Sequence, residues 1–204
     1  MSTNHQQHHL SLEIKQVPQG RLGLWILIAG ELVIFGGLIA TYLLYRLRYP
    51  QWSEMAAHTS TFIGALNTVV LLCSSFTIVK AHEEAQKKNV RKVLMWMSCT
   101  VAGGLMFLVD KSIEYYREIN EGFTFTSPKL QAAGDHIGSV FWSFYYIMTG
   151  LHGTHVLVGM TVMIIIMLQI RKGNNLHRVE LAGMYWHMVD LIWIFLFPLL
   201  YIAK

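Results

Sequence analysis

The sequence predicts an all-α fold, an integral membrane bundle of five transmembrane helices with the N-terminus in and the C-terminus out. Three observations predict it. Charged residues make up 14% of the 204 and hydrophobic residues 53%, whereas a soluble domain carries roughly 25% charged residues. Five apolar runs approach or exceed the length of about 20 residues that a helix needs to cross hydrocarbon. The basic residues are unevenly shared between the loops, which sets orientation. Lys15, Arg21, Lys80, Lys87, Lys88, Arg91, Lys92, Arg171, Lys172 and Arg178 fall on one side, and Arg46, Arg48, Lys111, Arg117, Lys129 and Lys204 on the other. Nothing alternates with period two for about ten residues at a time, so a membrane β-barrel is excluded as the reading.

Taken in order, residues 1–20 are polar, with His5, His8, His9, Pro18 and Gly20. They lack the positive start, apolar centre and cleavage site of a signal peptide, and read as a flexible cytoplasmic tail. Residues 21–204 form a single transmembrane domain. The first span, 22–45, carries Glu31 in IAGELVIFGG, where Gly30, Gly36 and Gly37 would admit a neighbouring helix closely. The second span is 62–79 and the third 93–113, and the basic stretch KKNVRK at 87–92 between them anchors to anionic headgroups. Residues 117–136 contain Gly122, Pro128 and Gly134 and read as an external excursion. The fourth span, 138–170, exceeds the membrane thickness and so tilts or projects. The fifth is 181–202, its last turn loosened by Pro198. Cys73 and Cys99 lie in apolar runs without a CxxC partner, which points to small core residues rather than a disulfide or metal site. The net charge of +4 reflects these loops, not nucleic-acid binding.

A few polar side chains interrupt the apolar spans. His187 and Asp190 are three apart on the fifth, so they share a helix face and are expected to pair. Trp186 and Trp193 stand two turns apart beside them. His152 and His155 share a face of the fourth span, among small residues and with Gly159 one turn beyond. Glu114 follows Lys111 by three at the end of the third span, which reads as a solvated helix end with one ion pair. No phosphate loop, Ser/His/Asp order or HExxH occurs, and no pair of Glu-x-x-His helices offers a metal site. A proton-coupled transporter using Glu31, His152, His155, His187 and Asp190 as a relay remains open, as does a haem-binding electron carrier. The odd number of spans and the lack of an internal repeat count against a transporter.

Four of these motifs, in this order, resemble subunit III of the haem–copper respiratory oxidases. The run ELAGMYWHMVDLIW at 180–193 is similar to that family's terminal signature, and GLHGTHVLVG at 150–159 to its two-histidine helix. Gly30-Glu31 and Glu114-Tyr-Tyr116 match its other landmarks. The resemblance covers residues 21–204 and looks like the short, five-helix bacterial form. It implies a non-catalytic subunit of a cytochrome c or quinol oxidase, in the bacterial inner membrane, that holds no cofactor itself. Haems and copper would belong to partner subunits I and II. The chain would pack on and stabilise subunit I, meet subunit II and a small subunit IV, hold phospholipid in a cleft between two helix groups, and support proton uptake. A place in a respiratory supercomplex, and an alternative as the accessory subunit of a nitric oxide reductase, follow from the same likeness. Glu31 would be the buried, proton-linked carboxylate of the cleft. His152, His155, Glu180, Trp186, His187, Asp190, Trp193 and Glu114 would be structural or cleft-lining polar residues. The family often carries an arginine where this chain has Gln169, which leaves Arg171 and Lys172 as its headgroup candidates.

Overall fold

The computed structural model describes residues 19–50, 52–56, 59–124, 136–173 and 176–202. The expected N-terminal tail and most of the expected external excursion lie outside the described residues. Five long helices form: α1 Gln19–Arg48, α3 Thr61–Gln86, α4 Val90–Glu121, α5 His136–Arg171 and α6 Arg178–Phe197, with α2, a short turn of helix, at Trp52–Ala56. Each long helix is long and apolar enough to cross a membrane. There is no strand among the described residues.

The helices outrun the apolar runs that announced them. The second span was expected to stop at residue 79, but α3 continues to Gln86. Its last turn is polar and held by side-chain pairs, with Lys80 Nζ at 2.9 Å and Lys87 Nζ at 2.8 Å from the Glu83 carboxylate. That carboxylate, with Glu84 beside it, raises the pKa of Lys87 above the ordinary lysine value. Likewise α4 runs eight residues past 113, through part of the expected loop, to Glu121. It stops where Gly122 adopts a φ of 87°, a conformation open to glycine at no steric penalty. The α3–α4 connection is only Lys87–Asn89, and Lys88 takes a φ of 56° to make it.

Packing follows a 3.5-residue repeat. The buried positions of α3 are Gly64, Asn67, Leu71, Ser74, Ile78 and Ala81, alternating steps of three and four. Those of α4 run Val93, Met97, Thr100, Gly104, Phe107 and continue without a break into Lys111, Glu114 and Glu118. Such a repeat keeps one seam facing the neighbour in left-handed packing at about 20°. α3 packs on α4 and α6, and α5 packs on α4 and α6, closing a four-helix bundle. Pro198 starts a single π-helical turn, Pro198–Ile202, that tucks Leu200 and Tyr201 into the far end of this bundle. This is the far end of the bundle; the α3–α4 turn marks its near end.

α1 stands apart. Among its described residues only Phe35 and Tyr42 are buried. Within the described residues of this chain no helix lies close against Gly30, Gly36 or Gly37, since a Cβ at any of them would meet nothing within 4 Å. The close approaches are at Gly20 near the start of α1, against Leu181, and in the bundle at Gly64, Gly103, Gly104 and Gly159. Cys73 and Cys99 are exposed rather than core residues. In a helix apolar all round, composition does not separate the face that meets other helices from the face that meets lipid.

Candidate functional site

Polar groups concentrate at three places: the bundle centre, its far end, and the seam between α1 and the bundle. At the centre the Trp186 ring lies fully buried in a slot between α4 and α5. The slot exists because Gly104 and Gly159 lack side chains: a Cβ would stand 2.7 Å from Trp186 Cη2 at Gly104 and 3.0 Å from Trp186 Cε3 at Gly159. Trp186 Nε1 donates to Ser74 Oγ on α3 at 2.9 Å. One residue of α6 thus locks onto three helices. Two turns on, Trp193 repeats the device and donates to Thr68 Oγ1 at 3.0 Å. Between these levels His152 is wholly buried, its ring 5.3 Å from that of Phe107 and 5.2 Å from that of Trp193. Neither of its ring nitrogens has a hydrogen-bond partner among the described residues.

The far end is not the solvated helix end that the sequence suggested. Lys111 is 5% exposed and Glu114 1%. The expected pair does form, with Lys111 Nζ donating to Glu114 Oε2 at 2.9 Å. The same ammonium also donates to Tyr145 at 3.0 Å and to Tyr201 at 2.6 Å. Tyr201 donates in turn to Glu114 Oε2 at 3.1 Å, and the two tyrosine hydroxyls are 3.1 Å apart. Glu118 is buried one turn further. α4, α5 and the π turn meet on this centre. Charges inside a bundle persist when paired and hydrogen-bonded in this way. Glu118, Tyr145 and Tyr201 were not singled out by sequence. Residues 111, 114 and 118, however, continue the steps of three and four that bury the rest of α4.

α1 is held by three polar clasps. Arg21 pairs with Glu180 at the near end, Glu31 Oε1 meets His155 Nε2 at 3.0 Å midway, and Tyr42 donates to the Leu199 carbonyl at 3.1 Å at the far end. His155 Nδ1 lies 2.7 Å from the Leu151 carbonyl, an oxygen that can only accept, so Nδ1 carries a proton. Nε2 therefore either accepts from a protonated Glu31 or donates to an ionised one. In both cases one proton lies between Glu31 and His155. Two grooves flank the helix. The larger, about 580 Å³, runs between α1 and α6 and has Glu31 and His187 as its ionisable lining residues. The second, about 460 Å³, lies between α1, α5 and α6 and reaches Gln169 and Arg178, which are joined at 3.0 Å.

The expected His187–Asp190 pair does not form. His187 Nδ1 bonds Ser75 Oγ on α3 at 2.6 Å. Asp190 points to the buried side, with both oxygens lacking a hydrogen-bond partner among the described residues and Ser75 close enough to bear on it. Three residues apart on a helix is about 60° of azimuth, enough here to send one side chain to the groove and the other into the bundle. Of the remaining site residues, Trp186, Trp193, His152 and Glu114 belong to the bundle interior. His155 and Glu180 belong to the clasps, and Arg171 and Lys172 stand exposed at the near end of α5. No group of three or more His, Cys, Asp or Glu able to hold a metal occurs among the described residues.

Over residues 3–204 the chain matches the family model described as cytochrome c oxidase subunit III. It is 34% identical over 186 residues to cytochrome c oxidase subunit 3 of Thermostichus vulcanus, covering 89% of this chain and 86% of that one. To cytochrome c oxidase subunit 3 of Bacillus subtilis it is 32% identical over 189 residues, covering 89% and 84%. To quinol oxidase subunit 3 of Bacillus spizizenii it is 28% identical over 185 residues, covering 89% and 85%.

Proposed function

The chain belongs to the cytochrome c oxidase subunit III family, and from that premise we propose that it is the non-catalytic subunit III of a proton-pumping haem–copper terminal oxidase. In this reading it sits in a bacterial cytoplasmic membrane with its N-terminus inside and packs on subunit I, which reduces oxygen to water. Subunit II and a small subunit IV complete the complex, itself a candidate member of a respiratory supercomplex. What supports the reading above all is that the likeness runs through nearly the whole chain and takes in all four motifs. Among the described residues, His152 is closed between two aromatic rings, His155 is engaged by Glu31 and His187 by Ser75.

The two grooves beside α1 suit phospholipid acyl chains, being almost wholly apolar, with Arg171, Lys172 and Arg178 at the end where headgroups would lie. The Glu31–His155 proton, at the edge of the larger groove, is the element through which this subunit supports proton uptake by its partner. The experiment is a mild-detergent pull-down on the tagged chain, followed by an optical spectrum and an oxygen-consumption assay with cytochrome c and with a quinol. Recovery of a haem–copper subunit with oxygen reductase activity is expected, and the preferred donor names the oxidase type. A chain that comes down alone and colourless overturns the reading. Glu31→Gln is expected to leave that recovery unchanged and to hasten inactivation during turnover, because it keeps a hydrogen bond to His155 but removes the shared proton. Unchanged kinetics over many turnovers would refute that role.

A further inference from the structure

The far-end centre has a geometry that the subunit role does not use. Tyr201 is wholly buried and sits with its hydroxyl 3.1 Å from Glu114 Oε2 and 3.1 Å from the hydroxyl of Tyr145. A phenol held within about 2.6–3.2 Å of a carboxylate is placed to lose its proton to that carboxylate. The Lys111 ammonium, which would oppose removal of an electron, is offset by the Glu114 carboxylate 2.9 Å away. Aromatic rings lead from this pair to the surface. Tyr145 stands 6.1 Å from Tyr201 and 5.2 Å from Trp142, centroid to centroid. From Trp142 the steps are 5.4 Å to Phe141, 5.6 Å on to Trp52 and 5.7 Å on to Tyr45. Tyr45 is 38% exposed, at the end of α1.

We infer that Tyr201 and Tyr145 form a redox-active tyrosine pair, with Glu114 as proton acceptor and the rings through Trp142 and Trp52 to Tyr45 as the electron path. The partner reactant is a high-potential, metal-centred one-electron oxidant at the membrane surface, of the class that a tris-bipyridyl ruthenium(III) complex represents, and it is reduced by one electron in the step. One electron leaves Tyr201 for the oxidant by way of the rings, the Tyr201 O–H bond breaks, and its proton passes to Glu114 Oε2. A neutral tyrosyl radical and a protonated carboxyl remain. One electron from a reductant along the same path, with return of the proton, restores both groups. The inference does not rest on the oxidase reading, since it concerns groups of this chain alone.

The test uses the full chain in lipid nanodiscs, free of any haem subunit. A flash-quenched ruthenium trisbipyridyl complex generates the oxidant, and freeze-quench electron paramagnetic resonance reads the product. A neutral tyrosyl radical is expected, formed more slowly in deuterated buffer. The signal is expected to persist in Tyr115→Phe, whose hydroxyl is engaged by Thr149, and to disappear in the Tyr145→Phe/Tyr201→Phe double variant. In Lys111→Met/Glu114→Gln, which keeps the centre electrically balanced, formation should slow on the order of a hundredfold, the smaller end of what a positioned base contributes. A radical of unchanged yield in the tyrosine double variant overturns the inference, as does one formed at the wild-type rate without Glu114. Melting curves of each variant confirm that a lost signal is not a lost fold.

Discussion

Removing the Lys111 ammonium should do far more damage than removing the whole ion pair. Lys111 Nζ is the donor to Glu114 Oε2, Tyr145 and Tyr201 within 3.0 Å, in a centre whose members are at most 5% exposed. Lys111→Met keeps the stem and its packing but leaves Glu114 with only the Tyr201 hydroxyl. Breaking one side of a buried pair costs about 3–5 kcal/mol, or a factor of roughly 10² to 10³ and more in the unfolding equilibrium. Lys111→Met/Glu114→Gln removes both charges and keeps a group able to bond Tyr201. That double variant should return to within about 1 kcal/mol of the wild type, as expected when a buried pair gives way to neutral groups of similar volume. The assay is reversible unfolding of the full chain in mixed micelles, followed by tryptophan fluorescence. A single variant within about 0.5 kcal/mol of wild type, or a double variant no better than the single, would refute the account, because either result means the charges are already well solvated.

Other variants probe the rest of the molecule. Gly104→Ala places a methyl 2.7 Å from Trp186 and 2.9 Å from Met160, so the same micelle assay should show a loss of about 1–3 kcal/mol from overpacking, whereas Gly30→Ala, with nothing within 4 Å, should be neutral or slightly stabilising. His152→Leu removes two buried ring nitrogens that have no partner among the described residues and should leave stability unchanged or raised, which a melting curve of the chain will show. Ser75→Ala, rather than a change at Asp190, should free the His187 ring, visible as a changed imidazole shift in nuclear magnetic resonance. Reversing the half-exposed clasp with Arg21→Glu should cost less than about 1 kcal/mol, with Arg21→Glu/Glu180→Arg restoring it in a double-mutant cycle.

Hydrophobic run length announced all five long helices, because a span must be apolar on every side that meets lipid. It could not place their ends. The last turns of α3 and α4 are polar, and they are helical through local ion pairs and a glycine stop instead. Nor could it say which way each polar residue turns. Glu31 with His155 and Ser75 with His187 are contacts between helices 124 and 112 residues apart in sequence, invisible to any local pattern. Lys111 with Glu114 was visible as a pair, but a pair at a helix end has the same spacing in water and in a core. The seam running from Val93 to Phe107 on into Lys111 was the overlooked signal that it is buried.

The weak seating of α1 has a consequence in time. The residues that clasp it, His155, Glu180 and Leu199, are made 124 to 159 positions after their partners in α1. Arg21 must wait for Glu180, 159 positions later, which at about 5–20 residues per second is roughly 8–30 s. Through that interval α1 has no permanent berth, while α3 and α4 pair at once across a three-residue turn. Of these helices, α1 is therefore made before the others and docked after them, and the grooves at its sides are closed or filled only once α6 is made. Any molecule destined to lie beneath α1 can enter sideways before the helix settles, without forcing a finished bundle apart.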